Sequence, residues 1–287
     1  MAAVAVVTDS TSYLPRGLVA ALGIHEVSLY VSDGDGQRRE LDITDYGAFH
    51  AGLRTAATLP TTSQPSIGDF AAVYGPLAAA GRDVVSVHIS AGISGTLESA
   101  RQAATVAARE HPGRRVEVVD SRVSAGALGL VVLAAAGRAA AGGDAGEVVA
   151  AARAAIDELR FWFAVETLEH LRRGGRIGAA QAWLGGALKI KPILTLDGEI
   201  TPIERVRTSK RAFERMVDLL RSRAADGADA WAVQHIQAPD VAARLVERGR
   251  EVFGAEPVFV SEVGPVIGAH VGPGLVGVGG IPRALID

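Results

Sequence analysis

Four short segments of the chain gather hydroxyl side chains and glycine where strands would end: residues 8–12, 61–66, 90–96 and 264–274. Open α/β sheets place their ligands at such positions. Ser and Thr hydroxyls and backbone N–H groups are neutral donors, and several converging on one point hold a carboxylate or phosphate without a metal. That is chemistry for binding an anion, with no catalytic base built in. The same residue types also make ordinary turns and N-caps, so each segment taken alone is first of all a turn.

More demanding chemistry fails on spacing. Ser90-Ala91-Gly92-Ile93-Ser94-Gly95-Thr96 joins a predicted strand to a predicted helix, as a nucleophile elbow does, but G-x-S-x-G needs glycine where Thr96 stands. A phosphate loop of the Walker type needs a Gly-Lys pair, and the chain has none. Gly272-Pro273-Gly274-Leu275-Val276-Gly277 spells G-x-G-x-x-G with only ten residues after it, too few for the rest of a βαβ unit, so it is a glycine-rich turn. His270 either hydrogen-bonds a bound acid or braces its own loop. Arg172, Arg173 and Arg176 surround Gly174-Gly175, an anion-binding turn or a solvated basic loop. Arg205, Arg207, Lys210 and Arg211 form a second basic cluster, a solvated face or a contact for an acidic partner.

The elements that must carry these segments alternate. A Val-rich run over residues 3–7 predicts a strand buried on both faces. Pro15 with Leu18, Ala21 and Leu22 predicts a helix closed by Gly23. Strands follow at 27–31, 83–89 and 116–119, a polar loop at 33–39, and helices at 69–80 and 97–108, a βαβ pattern with a mostly parallel sheet. Asp144 and Glu147 form a capping box opening a helix to about residue 159, and a strand follows at 161–165. Beyond it the pattern changes. Residues 188–196 and 199–206 flank Asp197-Gly198 as a β-hairpin. Phe213, Met216, Val217 and Leu220 mark one helix, and Pro239 opens another that ends at Gly249. Further strands fall at 231–234, 258–261 and 275–278.

A length of 287 residues, 48% apolar and 21% charged, suits two ordinary domains with a sizeable core. The boundary is expected near residue 158, with an α/β domain before it and an α+β domain after it. A net charge of −3 leaves no footprint for nucleic acid or for a membrane surface. Zero cysteines exclude disulfides and thiolate metal sites, and the seven scattered His form no ligand pair. The apolar stretch 125–136 is too short for a bilayer, which needs about 20 residues. The N-terminus lacks the basic start of a signal peptide, so the expected location is the cytoplasm.

Taken in order, Thr8-Asp9-Ser10-Thr11, Thr62-Ser63-Gln64-Pro65-Ser66, Ile93-Ser94-Gly95-Thr96, residues 168–178 and residues 264–274 resemble the DegV family, over nearly the whole chain. The resemblance implies a bacterial lipid-binding protein. Its N-terminal domain, residues 1–158, would be a parallel α/β sandwich; its C-terminal α+β domain, residues 159–287, would carry a mixed or antiparallel sheet. A long-chain fatty acid would lie between or within them. It implies further the binding subunit of a fatty acid kinase, which presents the acyl carboxylate to a separate ATP-using subunit and needs neither a cofactor nor a nucleotide site. Matched motif by motif, Thr62 and Ser94 donate to the carboxylate and His270 completes the polar end. Arg176, Ser63 and Ser10 stand behind them. Ala91 departs from the pattern, where a second Ser often stands. The competing expectation is a lipid or ester hydrolase with Ser94 as nucleophile and His270 as base.

Overall fold

The computed structural model describes residues 4–54, 58–184 and 190–287. The first part of the chain runs β1 (Val4–Asp9), α1 (Arg16–Ala21), β2 (His25–Val27), β3 (Tyr30–Asp33), β4 (Gly36–Arg39), α2 (Tyr46–Leu53), β5 (Thr61–Ser63) and α3 (Ile67–Ala79). It continues through β6 (Asp83–His88), α4 (Thr96–Glu110), β7 (Val116–Asp120), α5 (Ala125–Ala140) and α6 (Ala145–Glu158). The remainder is β8 (Arg160–Ala164), α7 (Glu169–Arg173), β9 (Lys191–Asp197), β10 (Glu199–Val206), α8 (Ser209–Ala225), β11 (Ala230–His235), α9 (Pro239–Phe253), β12 (Phe259–Glu262), α10 (Pro265–Val271) and β13 (Val276–Ile281).

Three sheets result. Strands β2-β1-β6-β7 form an all-parallel sheet, as the alternation of strand and helix predicts. Every residue of β1 is buried, as a continuous apolar run must be when helices cover both faces. Helix α4 turns Leu97, Ala100, Ala103, Ala104 and Ala107 inward at helical spacing. The second sheet, β10-β9-β8-β13-β11-β12, is mixed: β11 and β12 run parallel and the other neighbours antiparallel. A small antiparallel sheet, β4-β3-β5, stands apart.

Helix α5 binds the two large sheets together. Residues from Gly126 to Ala136 are all buried in it, and it touches β1 and β6 on one side and β11 and β13 on the other. A helix apolar all round has this use: it has no solvent face to offer. Val6, Val85, Leu128, Leu130, Ala230 and Phe259 thus belong to one continuous core. Each fully buried Leu or Val contributes about 1.5–3 kcal/mol of transfer energy to that core. Among the described residues no helix is long and apolar enough to cross a membrane.

The structure corrects several element boundaries. The strand expected at 27–31 is two strands in different sheets: β2 pairs with β1 and β3 with β4 and β5, and between them Leu29 donates its N–H to the Ser10 hydroxyl (3.1 Å) and accepts at its carbonyl from the N–H of Glu40 (2.9 Å). The polar loop 33–39 is the β3–β4 hairpin, turned with Gly36 at φ +118°. The helix expected from Asp69 starts at Ile67, because Ser66 and Asp69 cap each other's N–H groups. The predicted box of Asp144 and Glu147 is present at α6. Segments 61–66 and 264–274 are not plain loops: the first contains β5 and the second α10. Of the strand expected at 188–196, residues 188 and 189 lie outside the described residues, and β9 begins at Lys191.

Gly249 does not end its helix. It lies inside α9, and Gly254, at φ +65°, is the left-handed cap. A Cβ on Gly249 would stand 2.2 Å from Cη2 of Trp231. Trp231 cannot yield easily: it is fully buried, stacks on Phe253 at 5.2 Å and donates its indole N–H to the Ala255 carbonyl (3.2 Å). Gly249→Ala therefore destabilises the protein by about 1–3 kcal/mol through overpacking, although alanine is the better helix former by about 1 kcal/mol. A denaturant titration checks it: the midpoint falls at unchanged slope, and an unmoved midpoint would remove the constraint.

Candidate functional site

A cavity of about 990 Å³, its open mouth included, lies where the three sheets and α10 approach one another. Its walls are mostly apolar. Leu29, Ile89 and Ile93 come from the first half of the chain, while Phe161 and Phe163 of β8, Leu196 of β9, Ile200 of β10 and Ile267 of α10 face them from the second. The polar residues on its surface include Thr62, Ser63, Gln64, Ser94, Arg176 and His270, with Ser124 and Gln234 elsewhere on the wall.

Close backbone approaches hold the polar groups in place. The turn carrying Ser94 leans on the β9–β10 hairpin: Ser90 Oγ donates to the Gly198 carbonyl (2.7 Å), and a Cβ on Gly92 would stand 2.0 Å from that oxygen. Gly198 is also tied to the β7–α5 loop, donating its N–H to the Arg122 carbonyl at 2.7 Å. Gly95 packs on the Gln64 side chain, where a Cβ would stand 3.0 Å from Nε2. The glycines that look like a failed nucleophile elbow are contact points. The Ser94 hydroxyl is shared with Thr96 Oγ1 (2.9 Å).

Thr62 lies on β5, opposite Val31 of β3, and its Oγ1 is 2.7 Å from Nε2 of His270 on α10. Gly174 of the Gly-Gly pair packs against the other ring nitrogen of the imidazole: a Cβ there would stand 2.4 Å from His270 Nδ1. Arg176 ties this turn to the Ser94 loop by donating Nη1–H to the Gly174 carbonyl (2.7 Å) and Nε–H to the Ile93 carbonyl (3.3 Å). Thr62, Ser94, His270 and Arg176 thus belong to one connected corner of the cavity. Ser63 lines the cavity as well, with its Oγ accepting from Gln37 Nε2 at 3.1 Å.

Burial, and after it the charge of Arg176, pushes His270 down to about 4, so the ring is neutral at pH 7. Its Nδ1 is buried without a hydrogen-bond partner. Nδ1 faces the Gly174 backbone, where a bare lone pair meets C–H and an N–H would find no acceptor. The proton therefore belongs on Nε2 and is donated to Thr62 Oγ1. The hydroxyl hydrogen of Thr62 is then free to point at a ligand.

Other candidates are placed elsewhere. Ser10 is fully buried off the cavity wall, donating its hydroxyl to Glu40 Oε2 at 2.5 Å. The rest of segment 8–12 is likewise structural: Asp9 accepts from Thr11 and from the N–H of Ile89 (2.9 Å). Asp9 also bonds His88 Nδ1 (3.0 Å), whose Nε2 meets Ser86 Oγ (2.6 Å). This has the order of a Ser-His-Asp relay, but all three residues are 0% exposed and none lines the cavity. Ser94 and His270 do not form such a relay either. Nε2 of His270 is engaged by Thr62, Nδ1 has no carboxylate to orient it, and a base pushed down to about 4 is poorly matched to neutral pH. Arg172 pairs with Glu169 (2.6 Å), and the Arg205 guanidinium lies over the Trp183 ring (5.8 Å). Gln234 and Ser124 had no sequence signal, since one sits in a strand and the other before an apolar helix.

The family model described as DegV, an uncharacterised protein family, matches residues 3–283. A DegV domain-containing protein of Streptomyces coelicolor is 46% identical over 278 residues, 96% of this chain and 97% of that protein. Protein DegV of Bacillus subtilis is 36% identical over 280 residues, 96% and 98% of the two chains. Among solved structures, a fatty-acid-binding DegV family protein of Thermus thermophilus superposes with a TM-score of 0.86 at 36% identity, covering 97% of this chain and 99% of its own. The crystal structure of DegV from Bacillus subtilis, described as a fatty acid binding protein, gives 0.86 at 35% identity over 96% and 98%.

The electrostatics of this corner are open to measurement. Because the Arg176 cation helps hold His270 down, Arg176→Gln raises the midpoint of the His270 ring titration above about 4, read by NMR of the imidazole signals. A midpoint that stays in place would show that burial alone sets it.

Proposed function

The chain belongs to the DegV family, and on that premise we propose that it binds a long-chain fatty acid in the cavity and presents its carboxylate to a separate ATP-using fatty acid kinase subunit. On this reading Thr62 and Ser94 donate hydrogen bonds to the carboxylate, and His270 acts through Thr62 and at the pocket end. Arg176 supplies positive charge nearby, and Ser63 stands beside Thr62. Residues 1–158 contribute Thr62, Ser63 and Ser94, and residues 159–287 contribute Arg176 and His270, so the acid lies between two units. The chain itself is a cytoplasmic binding protein that leaves the phosphoryl transfer to its partner.

The observation that carries the reading is the neutral His270 fixed on Thr62 at one corner of a largely apolar cavity. An acyl chain of about fifteen methylenes offers roughly 12 kcal/mol of gross transfer energy, at about 0.8 kcal/mol each, before the costs of association. The apolar wall accounts for the tail. A carboxylate entering such a pocket unpaired would cost several kcal/mol, which neutral hydroxyl donors and a nearby guanidinium offset without the desolvation cost of a second fully buried charge. A hydroxyl whose own acceptor site is already filled by His270 is well suited to donate.

Mass spectrometry of organic extracts of the purified protein is expected to find a long-chain fatty acid, and added fatty acid raises the melting temperature. Thr62→Ala and Ser94→Ala each weaken binding by about 1–3 kcal/mol in titrations with a fluorescent fatty acid. Protein that is empty on purification and takes up no fatty acid would end the proposal. Acyl-phosphate formed from ATP by this chain alone would end its division of labour.

A further inference from the structure

Glu40 is a fully buried carboxyl group that the reading above does not use. It follows β4 and accepts three hydrogen bonds: from the hydroxyls of Ser10 (2.5 Å) and Tyr13 (2.8 Å) and from the N–H of Val266 (2.7 Å). The Tyr13 hydroxyl in turn accepts from the N–H of Ile267 at 3.2 Å. Val266 and Ile267 are in the first turn of α10, which has no side-chain cap of its own at Gly264, and whose first residue, Pro265, has no N–H. The free amides of that turn are thus met by residues 226 and 254 positions away in sequence. The fit is close: a Cβ on Gly264 would stand 2.6 Å from Tyr13 Cε1 and 2.9 Å from Glu40 Oε1.

The other end of this seven-residue helix carries His270. At about 1.5 Å per residue, only about 6 Å of helix separates Val266 from His270, so a shift at the anchor is passed on nearly whole. We propose that Glu40 is a positioning residue for carboxylate capture: with Ser10 and Tyr13 it anchors the start of α10 and thereby sets where His270 meets Thr62. This inference rests on the fatty-acid reading of the site. It also gives Ser10 a part in the site from a place off the cavity wall.

The groups facing Glu40 are Asp9 at the end of β1, Tyr13 from the segment after it and Tyr46 from α2, with Arg16, Glu26 and Glu262 acting on Tyr46. Among the described residues Glu40 has no cationic partner within ion-pair distance. Burial pushes it up to about 7, against the lowering effect of its three hydrogen bonds. An acid raised on folding holds its proton longer in the native state than in the unfolded chain. Its contribution to stability is therefore complete below the usual glutamate range and is lost as the pH rises to about 7. Above that pH the charge costs stability that a neutral residue would not, which is a reason to look for what the charge does. What it does is accept from three donors at once. Protonated, it brings a hydrogen of its own into that cluster, and one of the three contacts must rearrange or be lost.

The test is the affinity of the full chain for a fluorescent long-chain fatty acid between pH 6 and 8, with the His270 ring signals of the ligand-free protein followed over the same range. His270 titrates far lower, at about 4, and so does a ligand carboxyl, near the usual carboxylate range of roughly 4, so neither produces a step in this window. In the parent protein the dissociation constant rises about tenfold from pH 8 to pH 6, the worth of one charge-assisted hydrogen bond, and the His270 signals move with the same midpoint. Glu40→Gln lies at the weak value throughout, without a step. Ser10→Ala removes a donor that favours the carboxylate, so it moves the midpoint upward; it decides the matter alone if Glu40→Gln does not fold. Affinity and ring signals that are flat from pH 6 to 8, or a step that survives Glu40→Gln, would overturn the positioning role. Protein that takes up no fatty acid at any pH overturns the proposed function instead, and the His270 signals then decide the coupling on their own.

Discussion

The hydrogen bond between Thr62 and His270 joins residues 208 positions apart, and the candidate site exists only where that contact is made. Neither residue has a partner supplied by its own element. Thr62 sits on a three-residue strand and His270 on a seven-residue helix, elements too short to be stable alone. Each is held by what it packs against: β5 by β3, and α10 by Glu40, Tyr13 and α2. The corner is therefore as well defined as the packing of the sheets on α5, the helix that gives both large sheets a common core.

Glycine does at this site what a longer side chain could not. Gly92 lets a turn rest on the Gly198 carbonyl, Gly174 lets the Arg176 turn close up against Nδ1 of the imidazole, and Gly178 (φ +52°) brings the chain against the backbone of Ile200. In each case the motif glycine is a place where two backbones, or a backbone and a ring, come closer than a Cβ allows. This explains why the glycine-rich segments resemble several catalytic loops without matching any. Their spacing answers to contacts across the fold, not to a phosphate or a nucleophile.

Electrostatically the corner is quiet. The corner holds a neutral imidazole, two hydroxyls and one guanidinium tied down by backbone carbonyls, donors of the kind the proposed carboxylate needs and poorly matched to proton transfer at neutral pH. The buried Ser86–His88–Asp9 chain shows that relay-like geometry by itself is no sign of chemistry: it braces β1 against β6 where no ligand can reach. The contrast between the two arrangements is one of access and of which atom holds the proton.

Much of the secondary structure could be read from the chain by itself, because its causes are local: an unbroken apolar run for β1, apolar periodicity for α4 and α8, a capping box for α6, Asp197-Gly198 for the hairpin. The five segments that carry the family resemblance were legible as well, and four of their polar residues, Thr62, Ser94, Arg176 and His270, meet in one corner. Three features were decided by tertiary contacts. Helix α10 looked like a glycine-rich loop because the caps for its first turn come from Glu40 and Tyr13, far away in sequence. Gly249 looked like a terminator because nothing local announces that Trp231 needs its space. Ser10 reads from its motif as standing behind the carboxylate donors, and the partners its hydroxyl actually meets, Glu40 and the N–H of Leu29, are 30 and 19 positions away in sequence. Residue type and local spacing set the elements and the kind of chemistry available to them; which polar groups face the cavity and which face one another depended on packing between elements, where the free energy of burying an unpaired polar group is settled.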